Sequence, residues 1–262
     1  MTDQPLFEVR NLSRTYQTRG RPVRALSDVS FTVQQGDRLG IVGESGSGKS
    51  TLIRLMAALD HPTSGTVVFE GEPISGRPER RLGGFRRRVQ IVFQDPRSSL
   101  NPRMRVRDII TEPLRSGLLR RQFADMDLDA RVAELMEAVD LPVADAHRFP
   151  HEFSGGQRQR IAIARALAPN PDVLIADEAV SALDVSVRAQ VLNLLAGLVA
   201  ELGLTLIFVS HDLSVVRHVC REMIVLQGGR IVESGHTESL LTEPHEEYTR
   251  TLLASVPRFR IR

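Results

Sequence analysis

The sequence predicts an α/β fold with three parts: a parallel-sheet core around one phosphate-binding loop, an N-terminal antiparallel β part and an inserted α-helical subdomain. A glycine-rich loop stands between a short apolar strand and a helix. Strand and helix patterns alternate in the C-terminal half, which implies parallel strands joined by crossover helices. From about residue 95 to residue 150 apolar side chains recur at spacings of three and four, as in amphipathic helices.

The first 95 residues are rich in predicted strands. Residues 29–33 alternate apolar and polar side chains, as a half-exposed strand does, whereas residues 38–42 form an apolar run typical of a buried strand. We predict strands at residues 6–12, 29–33, 38–42, 65–69 and 89–93 and a helix at residues 51–57.

The rest of the chain is helical in pattern at first and then alternates between strands and helices. Five prolines between Pro96 and Pro150 punctuate the helical stretch, in which helices are predicted at residues 106–119 and 129–139. Strands are predicted at residues 172–176, 205–209, 222–227 and 229–234, with a helix at residues 185–202.

Length and composition indicate an ordinary globular protein. The chain has 262 residues, of which 42% are hydrophobic and 25% charged. We expect a single domain, with a core at residues 1–94 and 161–241, a helical subdomain at about 95–160 and a C-terminal tail at 242–262. Cys220 is the only cysteine, which excludes a disulfide framework within the chain, and we interpret it as a packed apolar residue on a helix.

No segment of the sequence has the pattern of a membrane signal. The N-terminus lacks the charged-then-apolar pattern of a signal peptide, and no apolar run approaches the roughly 18–20 residues that span a bilayer. We therefore expect an intracellular protein that reaches a membrane only through a partner.

A phosphate-binding loop is predicted by the pattern G-x-x-x-x-G-K-S. The glycines let the backbone approach a di- or triphosphate closely, and the following helix directs its N-terminus at the anion. The alternative is a chance match in a glycine-rich turn. The predicted phosphate-binding residues are Gly43, Glu44, Ser45, Gly46, Ser47, Gly48, Lys49, Ser50 and Thr51.

Arginine is the default cation of this chain, which makes its one lysine informative. Lys49 is the only lysine among 34 lysines and arginines. A compact ammonium suits a phosphate cradle better than a wide planar guanidinium does. The arginine-rich segment 77–88 could bind nucleic acid or anionic lipid, but we favour a solvated surface because arginine is common throughout the chain.

Two adjacent acids follow four apolar residues at the end of a predicted buried strand. An acid in that position can hold Mg²⁺, and Ser50 would supply another oxygen. Neighbouring residues of a strand point to opposite sides, so we assign Asp177 to the metal and Glu178 to general-base catalysis. A solvated strand end is the alternative.

Residues 154–157 form a Ser-Gly-Gly-Gln motif, which opens a predicted amphipathic helix. Such a helix N-terminus can bind an anion, but the motif could equally be a plain helix cap. The residues are Ser154, Gly155, Gly156 and Gln157.

Taken together, these motifs resemble ATP-binding cassette (ABC) ATPases in order and spacing, over roughly residues 6–241. The likeness extends to residues 181–184 (Ser-Ala-Leu-Asp), to Gln94 at a strand end and to His211 after a strand. It implies a fold and a mechanism in which two ATP molecules with Mg²⁺ are held in a head-to-tail dimer.

The resemblance implies a role for each matching residue. Tyr16 would stack on adenine, although packing under a loop is an alternative. Gln94 would coordinate Mg²⁺ or water and sense a transmembrane partner, and His211 would contact the γ-phosphate. Ser154 and Gly156 would touch the γ-phosphate of the ATP held by the other subunit.

Within that family the chain is most similar to the ATPases of oligopeptide, dipeptide and nickel importers. The likeness lies in residues 94–96 (Gln-Asp-Pro), 99–102 (Ser-Leu-Asn-Pro) and 248–253 (Tyr-Thr-Arg-Thr-Leu-Leu). Ala179 replaces a common proline, as in nickel-type members, so the choice between peptide and nickel stays open. A soluble ABC ATPase acting on DNA or ribosomes is the alternative from another class, and export stays open as well.

The importer likeness also implies partners and a location. It implies a second ATPase subunit, two transmembrane permease subunits, an extracytoplasmic binding protein and no nucleic acid. The expected location is the cytoplasmic face of the inner membrane.

Overall fold

The computed structural model describes residues 4–17, 20–95 and 99–255. The strands are β1 (Phe7–Tyr16), β2 (Val23–Val33), β3 (Arg38–Val42), β4 (Ser64–Phe69), β5 (Glu72–Pro73), β6 (Val89–Val92), β7 (Val173–Asp177), β8 (Thr205–Ser210), β9 (Glu222–Gln227) and β10 (Arg230–His236). The α-helices are α1 (Lys49–Met56), α2 (Gly83–Arg88), α3 (Val106–Arg115), α4 (Leu128–Ala138), α5 (Gly155–Leu167), α6 (Val185–Glu201), α7 (Leu213–Val219), α8 (Thr237–Thr242) and α9 (Glu247–Ser255).

The contacts divide the chain into two compact units. Unit 1 comprises the described residues within 1–77 and 205–262, and unit 2 comprises residues 78–204. The division into core, helical subdomain and tail stays a prediction. Pro96 of the importer-group motif and residues 256–262 of the predicted tail lie outside the described residues.

Unit 1 contains an antiparallel sheet and a mainly parallel set of strands. The antiparallel sheet has the strand order β2-β1-β4-β5, and Phe7 meets Phe69 edge-to-face across β1 and β4, with ring centroids 5.0 Å apart. In the second set β3 lies between β8 and β9 and runs parallel to both, while β10 pairs antiparallel with β9. The predicted antiparallel N-terminal part is therefore confirmed.

Unit 2 combines two parallel strands with helices. Strands β6 and β7 pair in register from Val89 and Val173, and every residue of β7 is buried. Helix α5 packs against α3, α4 and α6. Arg131 of α4 clamps the end of α5, because its guanidinium donates hydrogen bonds to the Leu167 and Ala168 carbonyls at 2.8 and 3.3 Å.

The structure corrects some predicted boundaries. The helix predicted at residues 106–119 ends at Arg115, because Ser116 takes an extended backbone conformation with ψ 150°. Cys220 is not on the helix after His211 but follows it, in the extended C-cap position of α7. Helices α2, α8 and α9 and the short strand β5 were not predicted.

Arginines of the segment 77–88 form ion pairs, among them Arg77–Glu72, Arg86–Glu79 and Arg88–Asp172. Arg77 and Glu72 belong to unit 1, whereas the other two pairs belong to unit 2. None of the helices in the described ranges is long and apolar enough to cross a membrane.

Candidate functional site

The phosphate-binding loop joins β3 to α1 in unit 1 and is closed by its own lysine. The Lys49 side chain is buried, and its ammonium donates hydrogen bonds to the Gly43 carbonyl at 2.7 Å and the Glu44 carbonyl at 2.8 Å. The Lys49 ammonium is therefore bound to the loop that is predicted to hold the phosphates. Ser50 is exposed in the first turn of α1, next to half-buried Thr51.

Two glycines of this loop lie against backbone that leaves no space for a side chain. A Cβ at Gly43 would lie 2.2 Å from the Leu226 carbonyl oxygen at the end of β9. A Cβ at Gly48 would lie 2.5 Å from the Ala25 carbonyl oxygen of β2, and Gly48 has φ +108°. These contacts fix the loop against two strands of unit 1 and explain why glycine is required there.

The residues of the loop fit a bound phosphate. Gly48 caps α1 without any side-chain hydrogen bond, so the first amides of the helix are not capped by a side chain. The buried Ser47 hydroxyl has no hydrogen-bond partner among the residues that the structure describes. A buried hydroxyl without a partner is costly, and a phosphate oxygen would satisfy it.

Tyr16 lies at the end of β1, half-buried, and is held from two sides. Its hydroxyl donates a hydrogen bond of 2.7 Å to Asp60, and the Arg14 guanidinium carbon lies 4.5 Å from the ring centroid. Arg14 also donates to Asp60 at 2.8 Å. Since Arg14 covers one face of the ring, a base could stack only on the opposite face.

Asp60 keeps its charge in this cluster. Burial raises the pKa of the Asp60 carboxyl, but the Tyr16 hydroxyl, the His61 amide and the charge and hydrogen bond of Arg14 together outweigh it, so the pKa lies below its usual value. The sequence did not single out Asp60, because it is far from Tyr16 along the chain.

His211 is exposed between β8 and α7 of unit 1. The next residue, Asp212, caps α7 by accepting a hydrogen bond of 3.0 Å from the Ser214 amide. The cap fixes the backbone on the C-terminal side of His211. The structure thus places His211 at a strand–helix junction, as predicted.

In unit 2 the two adjacent acids differ in backbone conformation. Asp177 is the last residue of β7 and is buried. Glu178 lies beyond the strand, with φ +45° in the left-handed region. Its carbonyl accepts hydrogen bonds from the Ser181 amide and hydroxyl, both at 3.0 Å. The strand-alternation argument for Glu178 is therefore wrong, because a left-handed turn sets its direction.

Gln94 comes together with Glu178. The Gln94 side-chain amide donates hydrogen bonds to the Glu178 carboxylate at 3.1 Å and to the Ser181 hydroxyl at 3.4 Å. The three residues are neighbours in unit 2 although Gln94 is 84 positions from Glu178. The sequence indicated each residue separately but not this contact.

Residues 154–157 form a reciprocal cap at the start of α5. The Ser154 hydroxyl accepts a hydrogen bond of 3.3 Å from the Gln157 amide, and the Gln157 side chain accepts one of 2.9 Å from the Ser154 amide. A Cβ at Gly156 would lie 2.3 Å from Val187 of α6, whereas one at Gly155 would touch Leu183 only at 3.5 Å. Residues 154–157 therefore form a helix cap, and anion binding by them stays a prediction.

Sequence reasoning missed one residue at the phosphate-binding loop. The hydroxyl of Tyr248, in α9, accepts a hydrogen bond of 3.1 Å from the Glu44 amide. Tyr248 was noted only as part of a tail motif. The available signal was composition: the chain has two tyrosines, and the other is Tyr16.

Comparison with known proteins identifies a family and close relatives. A family model described as ABC transporter matches residues 26–181. A Brucella ovis protein provisionally named as a peptide import ATP-binding protein is 46% identical over 98% of this chain and 80% of its own length. A Brucella abortus protein with the same kind of name is 53% identical over 91% of this chain and 71% of its own length.

Solved structures that resemble this chain point to the same family. A dimeric ATP-binding cassette in a post-hydrolysis state, bound to ADP and Pi, superposes with a TM-score of 0.75 at 31% identity, covering 88% of this chain and 98% of the other. A Clostridium perfringens subunit described as part of an ABC transporter complex gives a TM-score of 0.78 at 26% identity, with 92% of each chain covered. The predicted fold class is confirmed.

Proposed function

Because the chain belongs to the ABC transporter family and is an ATPase coupled to transport, we propose that it energises a prokaryotic importer of di- or oligopeptides. The observation that carries the peptide assignment is the similarity, over nearly the whole chain, to relatives named for peptide import. Nickel is the second candidate, favoured by Ala179 in place of the usual proline after the catalytic acid.

The nucleotide would bind at the phosphate-binding loop. The loop amides and the Ser47 hydroxyl would hold phosphate oxygens, and the ammonium of Lys49 would turn from the loop carbonyls to the phosphates. Tyr16 would stack on the adenine with the ring face that Arg14 does not cover. The uncapped α1 terminus and the buried lysine support this assignment.

Hydrolysis would depend on the acids of unit 2. We propose that Glu178 takes a proton from the attacking water and that the hydrogen bond from Gln94 orients its carboxylate. When bound, Mg²⁺ neutralises phosphate charge. Its proposed protein ligands are the hydroxyl, amide and carboxylate oxygens of Ser50, Gln94 and Asp177, which are the hard donors that this ion prefers. His211 would contact the γ-phosphate.

The reaction would require a second ATPase subunit. We propose that residues 154–157 face the γ-phosphate of the ATP held by that subunit, since their reciprocal cap and the close approach of Val187 hold them rigid. The further proposed partners are two transmembrane permease subunits at the cytoplasmic membrane face and an extracytoplasmic binding protein.

A pull-down in mild detergent from native membranes tests the transport role. Two multispanning proteins, a second cassette ATPase and a binding protein should copurify with the tagged chain. Calorimetry of the recovered binding protein with peptides and with Ni²⁺ then decides between the two substrates. Recovery of DNA-bound or ribosomal partners instead would contradict the import role while leaving the ATPase chemistry intact.

The base assignment predicts the behaviour of Glu178→Gln. Removing the base should leave the Kd for Mg–ATP within about twofold of wild type and lower turnover at least about 100-fold, with ATP-dependent dimers accumulating. Phosphate release and size-exclusion chromatography measure the two effects. Glu137→Gln, which changes an exposed acid of α4, is the control. Wild-type turnover in Glu178→Gln would contradict the assignment.

A further inference from the structure

We infer that Tyr248 is a positioning residue for nucleotide binding, acting on the phosphate-binding loop from the C-terminal helix α9. The inference rests on the proposed function of that loop. It is carried by the contact of the Tyr248 hydroxyl with the Glu44 amide, which joins residues 204 positions apart within unit 1.

With this contact, both polar groups of the peptide unit between Gly43 and Glu44 have hydrogen-bond partners. The peptide that links Gly43 to Glu44 has its carbonyl bound by the Lys49 ammonium at 2.7 Å and its N–H bound by Tyr248 at 3.1 Å. On the side of β9 there is no space for even a Cβ at Gly43, which would lie 2.2 Å from the Leu226 carbonyl oxygen. The orientation of this peptide therefore depends on one lysine and one tyrosine.

The two side chains differ in what happens when a nucleotide arrives. Lys49 would exchange the Gly43 and Glu44 carbonyls for phosphate oxygens, so its hold on the peptide weakens in the bound state. The Glu44 amide is already bound by Tyr248, so the other amides of the loop would hold the phosphate oxygens and this hydrogen bond would persist. Tyr248 would thus hold the start of the loop in the binding geometry in both states, which lowers the ordering cost of binding.

Helix α9 is anchored firmly enough to position a side chain. Glu233 of β10, itself buried, accepts hydrogen bonds from the His245 amide at 2.8 Å and the Glu246 amide at 3.3 Å, just before the helix begins. Arg250 donates to the Pro244 carbonyl at 3.2 Å, and Thr249 is fully buried. The loop before α9 and its first turn are therefore fixed to unit 1.

Tyr248→Phe tests the inference in the full-length chain. This variant keeps the ring and removes only the hydroxyl acceptor. We expect the Kd for Mg–ADP, measured by calorimetry, to rise about three- to tenfold, because the loop must then be ordered during binding. The thermal midpoint without nucleotide should change by less than about 4 °C, as expected for one exposed hydrogen bond. Amide hydrogen exchange in the peptide that contains Glu44 should become faster.

Thr251→Ala is the matched control, because it removes a hydroxyl of the same helix, which donates to the Glu247 carbonyl at 3.0 Å rather than to the loop. It should change neither affinity nor exchange at the loop. Equal affinities of Tyr248→Phe and wild type, equal losses in both variants, or unchanged exchange at Glu44 would each overturn the inference. Failure of the wild-type chain to bind Mg–ADP would instead contradict the proposed function.

Discussion

At the residue scale, the phosphate-binding loop depends on glycines in two different ways. Gly46 and Gly48 both have positive φ, +80° and +108°, so a side chain strains the backbone at either position. Of these two, only Gly48 also lies close to other backbone. A Cβ built on Gly48 would lie 2.5 Å from the Ala25 carbonyl oxygen, whereas a Cβ built on Gly46 would have no atom within 4 Å. The two positions therefore separate conformational strain from steric conflict.

Gly48→Ala and Gly46→Ala should consequently differ in stability. Gly46→Ala should lower the free energy of unfolding by about 1 kcal/mol, the cost of a left-handed alanine. Gly48→Ala should lower it by at least about 3 kcal/mol, because β2 or the loop must move. Urea unfolding without nucleotide measures both. Equal losses would contradict the steric argument.

Glu178, the proposed general base, also has a backbone conformation in the left-handed region, with φ +45°. A non-glycine residue in the left-handed region costs on the order of 1–3 kcal/mol and persists only where surrounding contacts enforce it. Here the Ser181 amide and hydroxyl bind its carbonyl, and Gln94 binds its carboxylate. The strained backbone thus aims the proposed base in a direction that a regular strand end would not provide.

At the element scale, helix α5 is held at both ends. The reciprocal cap of Ser154 and Gln157 satisfies its first amides, and Arg131 of α4 satisfies its last carbonyls. The proposed contact to the partner's ATP lies at the start of α5, so both restraints limit the movement of that contact. They keep residues 154–157 in one place relative to the rest of unit 2.

Arg131→Met tests the restraint at the end of α5. The variant keeps an apolar stem but removes the hydrogen bonds of Arg131 to the Leu167 and Ala168 carbonyls. The Leu167 carbonyl keeps its bond of 3.0 Å from the Asn170 amide, so the loss at Ala168 dominates and the free energy of unfolding should fall by about 1–3 kcal/mol. Arg107→Met is the control, since Arg107 pairs with the exposed Asp129 and should cost less than about 0.5 kcal/mol. Chemical denaturation measures both, and similar losses would refute the assigned role.

At the scale of the whole molecule, the single cysteine offers a probe of unfolding. Cys220 is 5% exposed and lies beside Gly40 of β3, where an added Cβ would be 3.5 Å from its sulfur. Burial raises the pKa of the Cys220 thiol well above its usual value, so little reactive thiolate forms. The thiol should react only when the surrounding structure opens.

A thiol reagent should therefore label one site per chain in concentrated guanidinium chloride and react at least about 100-fold more slowly with the native protein. Saturating Mg–ATP should slow native labelling further, because a ligand that binds only the folded state lowers the unfolded fraction. The labelling rates of Cys220 are measured from the absorbance of the thiolate that the reagent releases. Fast labelling of the native chain, or no nucleotide effect, would contradict these expectations.

The sequence alone determined the α/β class and the family, and it predicted the phosphate-binding loop, the adjacent acids and the Ser-Gly-Gly-Gln motif. These motifs are local, since each depends on a few residue types at fixed spacing around a strand end or a helix start. Only the tertiary structure decided which partners each side chain has. The left-handed turn at Glu178, the Arg14–Tyr16–Asp60 cluster and the Tyr248–Glu44 contact could not be predicted. They join residues distant in the chain or depend on backbone angles that spacing does not encode, and hydrogen bonds form only between groups that folding brings within about 3 Å.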